Sequence, residues 1–108
     1  MTPLPPDLEL RAYAARWDHP IDLGVVRAVK VLRDHDIATT ESCEGGEGHC
    51  RRWPTVWFRG SPGEAWKALG VLLDYELPVR SLSATWTFDY GNFPQGPEWV
   101  VEFKRKLD

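Results

Sequence analysis

The densest polar chemistry lies between Glu41 and Arg52. There ESCEGGEGHCRR packs three glutamates, three glycines, two cysteines, one histidine and two arginines into twelve residues. The first chemistry this suggests is binding of a nucleotide-like ligand. Gly45, Gly46 and Gly48 let the backbone take positive φ and approach a ligand closely. Their amides, with Arg51 or Arg52, would contact an anionic group. Glu41, Glu44 and Glu47 would repel a phosphate unless turned away, and they suit ribose hydroxyls or a base amino group. Trp53 or Trp57 offers a stacking face. Neither GxxxxGK[ST] nor GxGxxG between strand and helix is present.

Two other chemistries use the same residues. Cys43, His49 and Cys50 are zinc-ligand types, with Glu41 or Glu47 as an oxygen donor. The spacing C-x5-H-C matches no standard knuckle, and adjacent His49 and Cys50 strain a single tetrahedral site. The expectation is therefore free thiols, no metal and no cofactor. As a nucleophile, Cys43 would act with His49 as base. Against this, most free cysteines are small buried hydrophobes. The plainest reading of all is a long turn between two strands. His19 and His35 fall at element boundaries and read as capping or surface residues.

The flanking elements must hold this segment. Ile21 to His35 reads as a helix with Asp22 as N-cap and Val25, Val26, Val29 and Leu32 on one face. Ala38 to Cys43 and Thr55 to Arg59 read as strands. Ser61-Pro62-Gly63-Glu64 is a capping box that opens a second helix, stopped by Pro78. Arg80 to Phe88 alternates as a strand, Asp89 to Pro97 is a turn-rich connection, and Glu98 to Arg105 is the last strand. Residues 1–19 read as a leader with a short helix over Asp7 to Arg16, and 20–108 as a single α+β domain.

Val31 to Ile37 aligns with Val71 to Leu77. The order α-β-β-α-β-β reads either as a duplicated α-β-β unit or as convergence of amphipathic patterns. Both give a two-layer α+β fold, with a four-stranded, mostly antiparallel sheet and two helices on one face. The other face would carry Trp57, Arg59, Ser81, Ser83, Thr85 and Thr87; such a face is either solvated or paired, and the expectation is a homodimer that shields Trp57 and brings two glycine loops into a shared cleft.

Composition bounds the partners. The chain has 108 residues, 43% hydrophobic and 27% charged, with net charge −3. That is one soluble domain without the basic excess of a bulk nucleic-acid binder. No apolar run could span a bilayer and no secretory signal stands at the start, so a cytoplasmic location with reduced thiols is expected. Six tryptophans exceed what a small core hides readily, which points to a ligand or partner surface.

The strings Glu41 to His49, Pro54-Thr55-Val56-Trp57-Phe58, Leu77-Pro78-Val79 and Gly96-Pro97-Glu98-Trp99 resemble a small family of bacteriophage and bacterial proteins with an ESCxGGxGH motif. The resemblance covers about residues 20–104 and carries no established activity. It implies where the site lies. A shorter similarity of Thr40 to Gly46 is to the S-S-C-S-G-R segment of wybutosine-synthesis methyltransferases, and it is too short to imply a function. The phage association implies host cytoplasm and suggests sequestering of a host nucleotide signal. The expectation is a non-enzymatic binder of a small polar, nucleotide-like ligand, using Glu41, Cys43, Glu44, Gly45, Gly46, Gly48, His49, Arg51, Arg52 and Trp57. The alternatives are a thiol- or metal-dependent enzyme at Cys43 and His49, or a protein-interaction module.

Overall fold

The computed structural model describes residues 7–17, 19–88 and 94–107. Its elements are α1 (Asp7–Ala15), α2 (Val26–Asp34), β1 (Ala38–Cys43), β2 (Thr55–Arg59), α3 (Pro62–Asp74), β3 (Val79–Phe88) and β4 (Pro94–Phe103). The strands form one sheet in the order β1-β2-β4-β3, and every neighbouring pair is antiparallel. This is the expected α+β architecture with a third helix, α1, added to it.

One sheet face makes the core. Val56, Phe58, Val101 and Phe103 are fully enclosed by residues of all three helices, among them Leu10, Val29, Leu32, Ala68 and Leu72. Valine is a mediocre helix former, and α2 carries three. Packing therefore holds α2, since burying each such side chain contributes about 1.5–3 kcal/mol. The segment read as a leader supplies Leu10, Tyr13 and Ala14 to the same core.

α3 starts as its sequence dictates. Glu64 N donates to Ser61 Oγ at 3.2 Å, and Ser61 N donates back to Glu64 Oε1 at 3.1 Å. α2 starts later than its pattern suggests, at Val26, with Val25 as N-cap and no side-chain cap. The Asp22 carbonyl accepts from Val25 N and Val26 N. Its carboxylate turns away to accept from Glu44 N at 3.2 Å.

The helices α2 and α3 end alike. Asp36 (φ 61°) and Glu76 (φ 58°) are left-handed. Asp36 N donates to Arg33 O and Ile37 N to Leu32 O, while Glu76 N donates to Leu73 O and Leu77 N to Leu72 O. A left-handed non-glycine residue costs about 1–2 kcal/mol, and both helices end on the same device at corresponding positions of the two aligned segments. The second strands of the two units, β2 and β4, pair at the sheet centre.

β4 begins at Pro94 rather than Glu98 and ends at Phe103 rather than Arg105. Pro94 and Gln95 pair with Phe88 and Thr87, so residues read as turn formers extend the ribbon instead. Gly96 makes this fit: its φ is 141°, and a Cβ there would lie 2.9 Å from Thr85 O. Asp89 to Phe93 of the expected connection lies outside the described residues. The ribbon outruns the helices, leaving Trp86 52% and Phe88 65% exposed.

Candidate functional site

β1 is an edge strand, so among the described residues one side of its backbone has no neighbouring strand. A cleft of about 540 Å3 opens along that edge. Its far wall comes from the α1–α2 connection, through Trp17, His19, Pro20, Ile21 and Asp22, and its floor includes Val29 and Arg33 of α2. β1 supplies Thr39 to Ser42, β2 supplies Trp57, and the glycine loop supplies Cys50. Arg33 sets the geometry here. Its Nε donates to Thr39 Oγ1 at 2.6 Å, its Nη2 donates to Thr39 O at 2.8 Å, and its guanidinium stacks 4.5 Å from the Trp17 ring centre. A bulge between Thr39 and Glu41 sets Glu41 opposite Trp57.

The loop from Glu44 to Pro54 closes upon itself. Gly45 (φ 77°) is jammed against the chain as it leaves the loop: a Cβ would meet the Trp53 carbonyl carbon and lie 2.6 Å from Pro54 N. Gly46 N donates to the carbonyls of Arg51 and Arg52 at 3.1 and 3.0 Å. The anion reading wanted that amide for a ligand, and here it holds the loop shut. Gly46 (φ 103°) and Gly48 (φ 82°) have open space around them, so their requirement is conformational.

Glu44 is a clamp. Its Oε1 accepts from Gly24 N at 3.2 Å, and its Oε2 lies 3.6 Å from His49 Nε2 and 3.7 Å from Lys106 Nζ. His49 Nδ1 in turn lies 3.8 Å from Cys43 Sγ. Thiol, imidazole and carboxylate thus stand in sequence. Cys43 is only 6% exposed, however, and it is Cys50 rather than Cys43 that lines the cleft. That burial disfavours attack by Cys43 on a bound substrate. No disulfide joins the cysteines. A hydrogen bond with Cys43 pushes the Cys50 thiol up, assisted by desolvation.

The arginines point elsewhere. Arg51 Nη2 lies 3.3 Å from Glu102 Oε2, and its guanidinium sits 5.4 Å from the Trp57 ring centre. Glu102 also receives Arg80 at 3.1 Å and Ser81 Oγ at 2.9 Å. Arg52 and Arg80 stack on Trp53 at 5.3 and 4.6 Å. Beside this network, Thr40 Oγ1 donates to Glu98 Oε2 at 2.8 Å. The helix-free face is therefore a polar lattice around a half-buried Trp57.

Of the residues expected at the site, Glu41 and Trp57 face the cleft. Cys43, Glu44, Gly45 and His49 build its supporting loop, and Arg51 and Arg52 pack on the helix-free face. Sequence reading missed Trp17, Arg33 and Asp22. Asp22 is the most informative of these: a carboxylate oxygen of Asp22, Sγ of Cys43 and a ring nitrogen of His49 all lie within 4.8 Å of one another. Among the described residues, no helix is long and apolar enough to cross a membrane. No family of known proteins, no curated protein and no solved structure matches the chain.

Proposed function

We propose that the protein binds a small polar, nucleoside- or nucleotide-like ligand in the cleft along β1, without transforming it. The observation that carries this reading is the pairing of Trp57 with Glu41 across the wall of a cleft of about 540 Å3. That volume is within the range that small-molecule sites occupy. An indole face stacks on a planar base, contributing about 1–3 kcal/mol. A carboxylate beside it accepts from an amino group or a sugar hydroxyl. Arg33, which lines the cleft, is engaged by Thr39 and Trp17, and Arg51 outside it is engaged by Glu102. The reading therefore favours ligands with few phosphates over polyphosphates. By analogy with proteins of phages that counter nucleotide-based immunity, we extend the proposal to capture of a host nucleotide signal.

Native mass spectrometry of the protein as purified, followed by a thermal-shift panel of nucleosides and nucleotides, tests this. The expected result is a bound mass or a saturable shift that Trp57→Ala and Glu41→Gln both diminish. No bound mass and no shift with any member of the panel removes the reading.

We further propose a homodimer in which the second copy covers Trp86 and Phe88 of the protruding ribbon. Their exposure supports this, whereas Trp57 is already half-covered within the chain. Sedimentation across a dilution series should show association that Trp86→Ser weakens. A monomer at every concentration would end that proposal.

A further inference from the structure

We propose that Asp22, Cys43 and His49 together bind a thiophilic divalent cation of the zinc class. This inference stands independently of what occupies the cleft.

Geometry carries the argument. Around tetrahedral zinc, bonds of about 2.3 Å to sulfur and about 2.0–2.1 Å to nitrogen or oxygen set neighbouring donors roughly 3.4–3.6 Å apart. Cys43 Sγ and His49 Nδ1 stand 3.8 Å apart. The Asp22 carboxylate completes a triangle with no side above 4.8 Å. An ion drawing these donors inward needs side-chain adjustments smaller than a bond length.

The surrounding contacts are those a metal site requires. A ligating histidine generally presents its second nitrogen to a carboxylate, which fixes the ring and its tautomer. His49 Nε2 faces Glu44 Oε2 at 3.6 Å. The same residue holds Asp22 through its backbone, Glu44 N to Asp22 Oδ2 at 3.2 Å. Glu44 therefore orients two of the three donors, and it is itself fixed by Gly24 N.

The sequence argued against a metal because adjacent His49 and Cys50 rarely serve one centre. In the folded loop that conflict does not arise, because His49 alone of the pair joins the cluster, with its Nδ1 facing Cys43 Sγ. The donor set is Asp-Cys-His, and the softness of the thiolate favours zinc over magnesium or calcium. Binding would deprotonate the Cys43 thiol and release that proton to solvent. Asp22 also lines the cleft, which puts the ion at the cleft wall.

The test uses reduced, chelator-stripped full-length protein titrated with Co2+ and then with Zn2+. The expected result is one Co2+ per chain, with a thiolate-to-cobalt charge-transfer band and the intense visible bands of a tetrahedral site, both abolished by Zn2+. Cys43→Ser should abolish the charge-transfer band, whereas Cys50→Ser should leave it in place. His49→Ala changes an exposed side chain and so leaves the fold intact, and it should weaken affinity at least tenfold. Glu44→Gln should weaken it about 10–100-fold, as loss of a ligand-orienting contact does. No saturable binding at micromolar Co2+ would overturn the proposal. So would binding that survives His49→Ala at full strength. A charge-transfer band that survives Cys43→Ser would overturn Cys43 as a ligand.

Discussion

His35 and Tyr75 meet edge to face, with ring centroids 5.8 Å apart and planes at 83°. Each closes its own helix, α2 or α3, and stands at the equivalent place in its unit. The contact therefore joins one position of the α-β-β unit to its counterpart. Aromatic pairs of this kind contribute about 0.5–1.5 kcal/mol beyond area burial. A double-mutant cycle of His35→Ala and Tyr75→Ala should give a coupling energy in that range by urea denaturation. Simple additivity would mean the rings touch without stabilising the pairing of units.

The two adjacent loop glycines should respond differently to substitution. Gly45→Ala forces a Cβ into the backbone at Trp53 and Pro54. It should destabilise by about 3 kcal/mol or more, since a left-handed conformation and an overlap are combined. Gly46→Ala meets nothing within 4 Å and should lose only about 1 kcal/mol. Thermal denaturation of both variants checks the order. Equal losses would contradict the close approach at Gly45.

Glu44→Ala removes the partner of the buried Gly24 N–H and frees His49 and Lys106. Leaving a buried donor unpaired costs about 1–3 kcal/mol. Hydrogen exchange should quicken at Gly24 and through the 44–52 segment while the β2–β4 pairing stays protected. Uniform quickening across the sheet would show that Glu44 holds the whole fold, rather than the loop.

Burial holds the Tyr13 phenol above its ordinary value of 10.0, with Asp34 adding to the rise while Arg33, Arg16 and Lys30 oppose it. In the unfolded chain the phenol gives up its proton first. Stability from this group is thus complete below pH of about 10 and declines as pH rises through the higher folded value. Tyr13→Phe should remove that share of the alkaline decline. Urea midpoints measured from about pH 9 to about pH 11 decide it, and identical slopes in both proteins would refute the assignment.

Legibility followed the range of the determining contacts. β1 and β2 could be bounded from local signals, because alternation ends at turn residues on either side. α3 could be started from Ser61 and Glu64, whose bonds span three residues. Pro94 to Pro97 misled because proline and glycine signal turns, although here they sit in a strand whose geometry Gly96 accommodates. Asp22 was read as a helix cap for the same reason. Its true partner is the amide of Glu44, twenty-two residues on, and no local pattern encodes such a pairing. The loop glycines, Trp57 and Glu41 were readable as site residues, but the cleft wall from α1 and Arg33 was not. It exists only once α1 has packed on α2.

The clamp at Glu44 also sets a schedule for biosynthesis. Gly24 donates its N–H to Glu44 and accepts through its carbonyl from Leu107 N, and Lys106 approaches the same carboxylate. A growing chain emerges from its N-terminal end at about 5–20 residues per second. The segment carrying both thiols is therefore made well before the residues that lock it. During that interval Cys43, enclosed in the finished protein, stands open to oxidants alongside Cys50, and a disulfide formed then would precede the native loop.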